Sequence, residues 1–251
     1  MVKHLRRCLS TEPVKRFYNE VTMQSTSDGF EVFLDRNPLK TPQMNRVVIR
    51  SEPLALAVVH EWHSQQTTVR RDLMRLTGLC MTAVDNPLKH TSASLIERIV
   101  SHLEADTILY LDHKHERLRQ MQIREWGGVV RWANHTFGMD LHQMDAETLQ
   151  VPTISSNTKS SLTNQLSTFN RWSLVGFDYG MDAANSVLLC LAATQYNMNV
   201  HKAVQLSLLE QRYQAEVWGE VDWAHNMQYH DVCSRLAAAV MFVECGALQQ
   251  H

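Results

Sequence analysis

Between Phe17 and Ile49 the chain carries the period-two alternation of β-strands, and after Ser51 that alternation does not return. RFYNEVTMQ is followed by the turn residues Ser27-Asp28-Gly29, then by FEVFLD with Phe30, Val32 and Leu34 on one face, then by RVVI. Asp35-Arg36-Asn37-Pro38 reads as a second tight turn, and Thr41-Pro42 as an interruption before the next strand. A meander of two or three short strands is marginal in water, so this one needs a cover. The next segment, SEPLALAVVHEWHSQQ, supplies it: Ser51 is an N-cap, Pro53 sits in the first turn, and Leu54, Val58 and Trp62 recur at helical spacing.

Beyond that helix the period is helical throughout. DLMRLTGLCMTAVDN sets Leu73, Leu76, Cys80 and Ala83 on one face, and TSASLIERIVSHLEAD does the same with Leu95, Ile99 and Leu103. Further helices are predicted from His115 to Phe137, from about Thr158 to Trp172, through SVLLCLAATQY, through LLEQRYQAEVWGEVDWAH (residues 208 to 225) and through DVCSRLAAAVMFVEC. The predicted fold class is therefore α+β, a small N-terminal antiparallel β-rich domain followed by a larger C-terminal α-helical bundle. Asp85-Asn86-Pro87 reads as the seam. Residues 1–14 form a targeting segment, 15–87 the β-rich domain with its covering helices and 88–251 the helical domain, with the longest loop at 139–157.

Composition excludes several classes. No apolar run approaches the roughly 18 residues of a membrane span, so no stable membrane insertion is expected. A net charge of -2 provides no field for phosphate backbones, which argues against a nucleic-acid partner. The 5 cysteines, Cys8, Cys80, Cys190, Cys233 and Cys245, are odd in number and mostly embedded in apolar helical patterns, as reduced core thiols are. Only the start breaks the neutrality. MVKHLRRCLSTEPVKR sets Lys3, Arg6, Arg7, Lys15 and Arg16 against Glu12, the composition of a mitochondrial transit peptide; a basic tail with no address is the other reading.

Catalytic grammar is missing. His60-Glu61-Trp62-His63 has its histidines at i, i+3 where the zinc-protease motif needs i, i+4, and reads as an exposed helix face. Asp112-His113-Lys114-His115 reads as a solvated turn at a helix start. There is no nucleophile elbow, Walker loop, dinucleotide fingerprint or C-x-x-C, and no carboxylate pair at a readable spacing, so neither catalytic residues nor a metal or cofactor are predicted.

The segment from 208 to 225 has a different kind of pattern. On a helix Glu210, Gln214 and Trp218 form one stripe, beside an apolar stripe of Leu206, Leu209, Tyr213 and Val217 that should face the core. Glu210 falls at the edge of the buried face, where it either fixes the corner by bonding the Gln214 amide or a backbone donor, or has a functional charge. Arg212 and Glu216 are spaced as a solvated i, i+4 pair, Gly219 reads as a left-handed helix cap, and Trp223 as packing the next helix back on the turn.

Leu209-Glu210, Tyr213-Gln214, Trp218-Gly219 and Trp223-Ala224-His225 resemble the C-terminal signature of the mitochondrial F-type ATP synthase assembly factor 2 family, chaperones of the alpha subunit of the catalytic F-one sector. The N-terminal half agrees in order. Lys15-Arg16-Phe17-Tyr18, Leu39-Lys40-Thr41-Pro42, Glu61-Trp62 with Gln65-Gln66, Asp85-Asn86-Pro87, Asp106-Thr107 with Tyr110, and Gln122 with Trp126 all match, so the resemblance spans roughly residues 15 to 245.

The resemblance implies a monomeric protein of the mitochondrial matrix, without catalysis or cofactor. Its partner would be the unassembled alpha subunit, kept from aggregating and handed over for assembly with the beta subunit. It also implies that Glu210, Gln214, Trp218 and Gly219 are the client-binding or functional residues, Glu210 foremost. The chain departs from the family at Asn226, at His63 and at Gly127-Gly128, where the family usually has aspartate or aspartate-proline, which argues against an essential role for those carboxylates. The alternative is a hydrolase or transferase with its site in a crevice between the two domains.

Overall fold

The computed structural model describes residues 14–146, 153–219 and 222–247, with the backbone alone at 222–225 and 247. Nearly all of the basic N-terminal segment therefore lies outside the described residues, as do the side chains of Trp223, Ala224 and His225. The chain divides into two compact units, residues 1–85 and 86–251.

The first unit is the strand-rich one. Its described strands are β1 (Val14–Lys15), β2 (Val21–Thr26), β3 (Gly29–Leu34), β4 (Asn37–Pro38), β5 (Val48–Ile49) and β6 (Thr68–Val69), with helices α1 (Glu52–His63) and α2 (Arg75–Asp85). β2 and β3 form an antiparallel hairpin in register from Val21↔Leu34 to Thr26↔Gly29. Gly29 has φ 142, and a Cβ there would stand 2.6 Å from the Ile49 carbonyl oxygen, so the approach of β5 to β3 requires glycine. The second turn is shorter than predicted. Asp35 and Arg36 alone make it, while Asn37 and Pro38 pair with Leu34 and Phe33 as β4. Asp35, at φ 55, accepts the backbone N–H groups of Glu20 and Asn19, both at 2.9 Å, and these bonds hold its carboxyl below the usual range.

Ser51 caps α1 as its sequence position predicted, accepting the Leu54 N–H. The helix lays Leu54, Val58 and Trp62 into the unit's core with Val32 and Ile49, all buried. Tyr18 Oη donates to the Trp62 carbonyl at 2.7 Å. Two-residue strands β1 and β6 pair antiparallel, an interaction too short to leave a period in the sequence.

Leu73 is not on the α2 face where spacing placed it. It closes a 3-10 turn and is exposed, and α2 begins only at Arg75. Glu61 sets that boundary. Its carboxylate accepts the N–H groups of Leu76 and Thr77, each at 2.8 Å, and the Thr77 hydroxyl at 2.7 Å, satisfying donors that a helix N-terminus leaves free. The Glu61-Trp62 dipeptide thus has a structural use in each residue.

The second unit holds α3 (Ser92–His102), α4 (Glu116–Phe137), α5 (Ser156–Leu166), α6 (Arg171–Ala184), α7 (Val187–Thr194), α8 (Val200–Ser207), α9 (Leu209–Trp218) and α10 (Asp222–Ala247). Two further strands, β7 (Tyr110–Leu111) and β8 (Met144–Asp145), make a short parallel pair. The helix predicted to run to Trp172 ends at Leu166. Asn170 then accepts the Ser173 N–H at 2.9 Å and caps α6, so Trp172 belongs to a new helix. α8, another helix the periodicity did not resolve, is capped in the same way by Asn199.

All eight residues of α7 are buried, as a helix apolar all round requires. α6 crosses α10 closely because Gly176 and Gly180 face it: a Cβ on Gly176 would lie 3.0 Å from the Phe242 ring, and one on Gly180 2.8 Å from the Ala239 Cβ. The N-terminus of α7 receives a buried carboxylate. Asp106 accepts the N–H of Leu188 at 2.9 Å and that of Ile108 at 3.2 Å. Burial nevertheless pushes its carboxyl up to about 6, against the opposing effect of its hydrogen bonds from Ser186 and the backbone.

Candidate functional site

The α9 corner is built on α4. That helix turns Leu118, Gln122, Trp126, Val129 and Ala133 inward, and Gln122 is fully buried among them. A buried amide has to use both ends. Gln122 Oε1 accepts the Asp112 N–H at 2.7 Å, and Nε2 donates to Glu210 Oε1 at 2.8 Å. One turn along, Trp126 Nε1 donates to the Leu206 carbonyl at 2.9 Å. α4 therefore grips the junction where α8 stops and α9 starts. Leu208 makes the break with φ -101 and ψ 17.

Glu210 is half-buried at the edge of the packed face, where its spacing put it. Its bond is to Gln122, not to Gln214. Burial raises its carboxyl above the ordinary range, the Gln122 bond opposes that and the Asp112 charge adds to it. Among the described residues no ion pair engages Glu210. Leu209 and Tyr213 are buried, and the Arg117 guanidinium lies 5.9 Å from the Tyr213 ring centroid. Gln214 is exposed and Trp218 is 68% exposed.

Three local expectations change. Val217, assigned to the core stripe, is 47% exposed, because the periodicity runs past the end of the surface that α9 packs on. Glu216 pairs with Arg117 on α4 at 3.1 Å rather than with Arg212. Gly219 has φ 95 and ψ 148, a region essentially reserved for glycine, but not the left-handed helical one; its N–H still closes the helix on the Ala215 carbonyl at 2.9 Å.

On the other side of α9 lies a groove of about 280 Å³ walled by α8, α9 and α10 and lined by Gln205, Leu208, Gln211, Arg212, Asn226, Gln228 and Tyr229 among others. No pattern along the chain marks this groove. Its signal, side-chain amides recurring on helices that otherwise bury leucine, has no meaning until the three helices are brought together.

The histidine-rich segments are structural or solvated. Asp112 accepts the N–H groups of Lys114 and His115, forming the predicted turn before α4, and His60 and His63 are exposed. Among the described residues no group of three or more His, Cys, Asp or Glu side chains is arranged to hold a metal ion.

A small strand-rich unit followed by a helical unit with a buried central helix is the architecture of the Atp12 proteins. The crystal structure of Atp12 from Paracoccus denitrificans matches with a TM-score of 0.81 at 21% identity, over 93% of this chain and 98% of that one. The crystal structure of the Atu1473 protein from Agrobacterium tumefaciens matches with a TM-score of 0.84 at 24% identity, over 92% and 85% respectively. At the level of sequence, protein atp12, mitochondrial, from Schizosaccharomyces pombe is 25% identical over 240 residues, covering 92% of this chain and 82% of that protein. The ATP12 chaperone protein family matches residues 15–134. The chain is thus similar to the ATP12 chaperone proteins in sequence and in fold. The family match takes in Gln122 and Trp126 and stops before the α9 corner.

Proposed function

We propose that this chain is an ATP12-type chaperone that serves assembly of the mitochondrial F-type ATP synthase. In the matrix, directed there by residues 1–14, it binds the unassembled alpha subunit of the catalytic sector as a monomer, prevents its aggregation and hands it over to the beta subunit, without catalysis or cofactor. Beside that similarity, one observation supports the reading. Trp218 at 68% and Val217 at 47% exposure stand near the end of α9, the helix that carries the half-buried Glu210, and Met227 at 65% stands near the start of α10. An orphan subunit exposes the large apolar surface of an obligate interface, and exposed apolar side chains on a fixed support are what such a surface can dock on. In this proposal Trp218 is the apolar anchor, Gln214 an exposed amide contact, and Gly219 sets the direction in which the chain leaves the corner. Glu210 supplies a charge that a basic client group would neutralise.

Among the described residues no comparable feature favours the hydrolase or transferase reading. Asp106, the carboxyl pushed up to about 6, faces backbone N–H groups that it caps. The test is a pull-down from matrix extract with the mature chain, joined to light scattering of alpha subunit diluted from denaturant. Alpha subunit as the dominant captured protein, and suppressed scattering, are expected. Scattering unchanged by a stoichiometric amount of the chain would refute the proposal.

A further inference from the structure

The groove between α8, α9 and α10 has a chemistry distinct from that of the exposed apolar corner. Four of its lining residues are side-chain amides, Gln205, Gln211, Asn226 and Gln228, groups that offer both a donor and an acceptor, as a peptide main chain does. Gln211, which lines the groove, holds its Oε1 buried without a hydrogen-bond partner. A buried acceptor left unpaired costs free energy that a ligand N–H would recover. Arg212 is exposed on the same wall, and among the described residues no ion pair engages it. The lining residues Leu208, Gln211 and Ala215 follow one face of α9 over seven positions, roughly 10 Å at the helical rise, the length of about three residues of extended chain. Trp218 stands one turn beyond Ala215 and continues that face.

We infer that this groove takes an extended segment of the client polypeptide, main chain against the amides, with an acidic side chain paired to Arg212 and an apolar one reaching Trp218. On binding, the Gln211 side chain turns to present its unpaired oxygen to a client backbone N–H. Recognition is then read chiefly through groups that every polypeptide has, with one charge to set register, which suits capture of a subunit before its own strands have paired. The inference rests on the proposed function for the identity of the client, and on the groove alone for the class of ligand.

The experiment uses the full chain and its Gln211→Leu and Arg212→Glu variants on arrays of short peptides with a central Asp, Ala or Lys flanked by leucines, each also made with N-methylated backbone. Parent protein should favour the Asp peptides and lose about tenfold in affinity on N-methylation. Arg212→Glu, at an exposed position that leaves the thermal midpoint in place, should turn the preference to Lys, and Gln211→Leu should lose the sensitivity to N-methylation. Indifference of the parent to N-methylation, or an unchanged charge preference in Arg212→Glu, overturns the inference. The same proteins assayed on alpha subunit separate the two claims. Full protection by Arg212→Glu would sink the groove while leaving the alpha subunit as client. Peptide binding of the expected kind without any protection of alpha subunit would keep the groove and refute the client.

Discussion

Gln122 Nε2 and Glu210 Oε1 meet at 2.8 Å across 88 positions of sequence, and the other end of the same amide is taken by the Asp112 N–H. Glu210 is therefore a carboxylate whose position is fixed from α4 but whose charge no described cation balances. Position and charge can be separated by mutation.

Glu210→Gln keeps an oxygen able to accept the Gln122 bond and removes the charge. Folding raises the carboxyl of Glu210 above its ordinary value, so the neutral form is the one folding favours; that contribution is present at low pH and lost as pH rises through the raised value. At neutral pH the amide variant is thus expected within about 1 kcal/mol of the parent. Protection of alpha subunit should nevertheless weaken, and Glu210→Lys should be worse because it presents a like charge to a basic client group. Light scattering, with urea melts in parallel, reads both; full protection by Glu210→Lys at parental stability would leave the corner as architecture only.

Asp106 gives a pH signature in the opposite sense from a salt-bridged aspartate. Its carboxyl is raised to about 6 in the folded chain, against about 3.9 for an unfolded aspartate. Between those values the folded state holds the extra proton, so stability from this group falls as pH rises through the interval and is level above it. The loss is on the order of 3 kcal/mol. Asp106→Asn should remove that dependence, so that the stability difference between parent and variant shifts in favour of the variant from pH 4 to pH 7. A constant difference across the range would mean that the hydrogen bonds to Asp106 outweigh its burial.

At Gly219 an added Cβ would meet nothing within 4 Å, yet φ 95 with ψ 148 is hostile to any other residue. Gly219→Val is expected to destabilise by more than about 1 kcal/mol through the backbone alone. Thermal midpoints of the Val and Ala variants measure it; parental values for both would show that the chain after α9 rearranges freely.

Val14 and Lys15 pair with Val69 and Thr68, and Arg16 donates to the carbonyls of Gln65, Tyr18 and Asn19. A chain beginning at Val14 should keep the thermal midpoint of the full sequence, whereas one beginning at Glu20 should lose it by several degrees, because it also deletes the Tyr18 bond to Trp62. Equal midpoints for the two truncations would make β1 dispensable.

Much of this layout can be read from the chain because its period changes once, at Ser51, and because Ser51 and Pro53 are strong helix-start signals. α6 escaped detection for a local reason: it buries Gly176 and Gly180 where a periodic reading looks for large apolar residues, and its start is fixed by a single Asn170 cap. Two-residue strands such as β1 and β6 have no period to detect and exist through a partner more than fifty positions away. At the corner, periodicity located Glu210 at the edge of the buried face but could not name Gln122, which lies on another helix. It likewise gave the side of α9 on which Val217 sits, not how far along that side the covering surface extends. Gly219 was recognisable as a stop, while its ψ depends on the chain that follows.

The contact between α6 and α10 has an outcome at the ribosome. α10 follows every helix it covers in chain order, and the glycine face of α6 that accepts Ala239 and Phe242 offers nothing in their absence. During synthesis the backbone at Gly176 and Gly180 therefore stays uncovered on this side until the final described helix has emerged. A chain built in this order carries an open seam along α6 for as long as α10 is still being made.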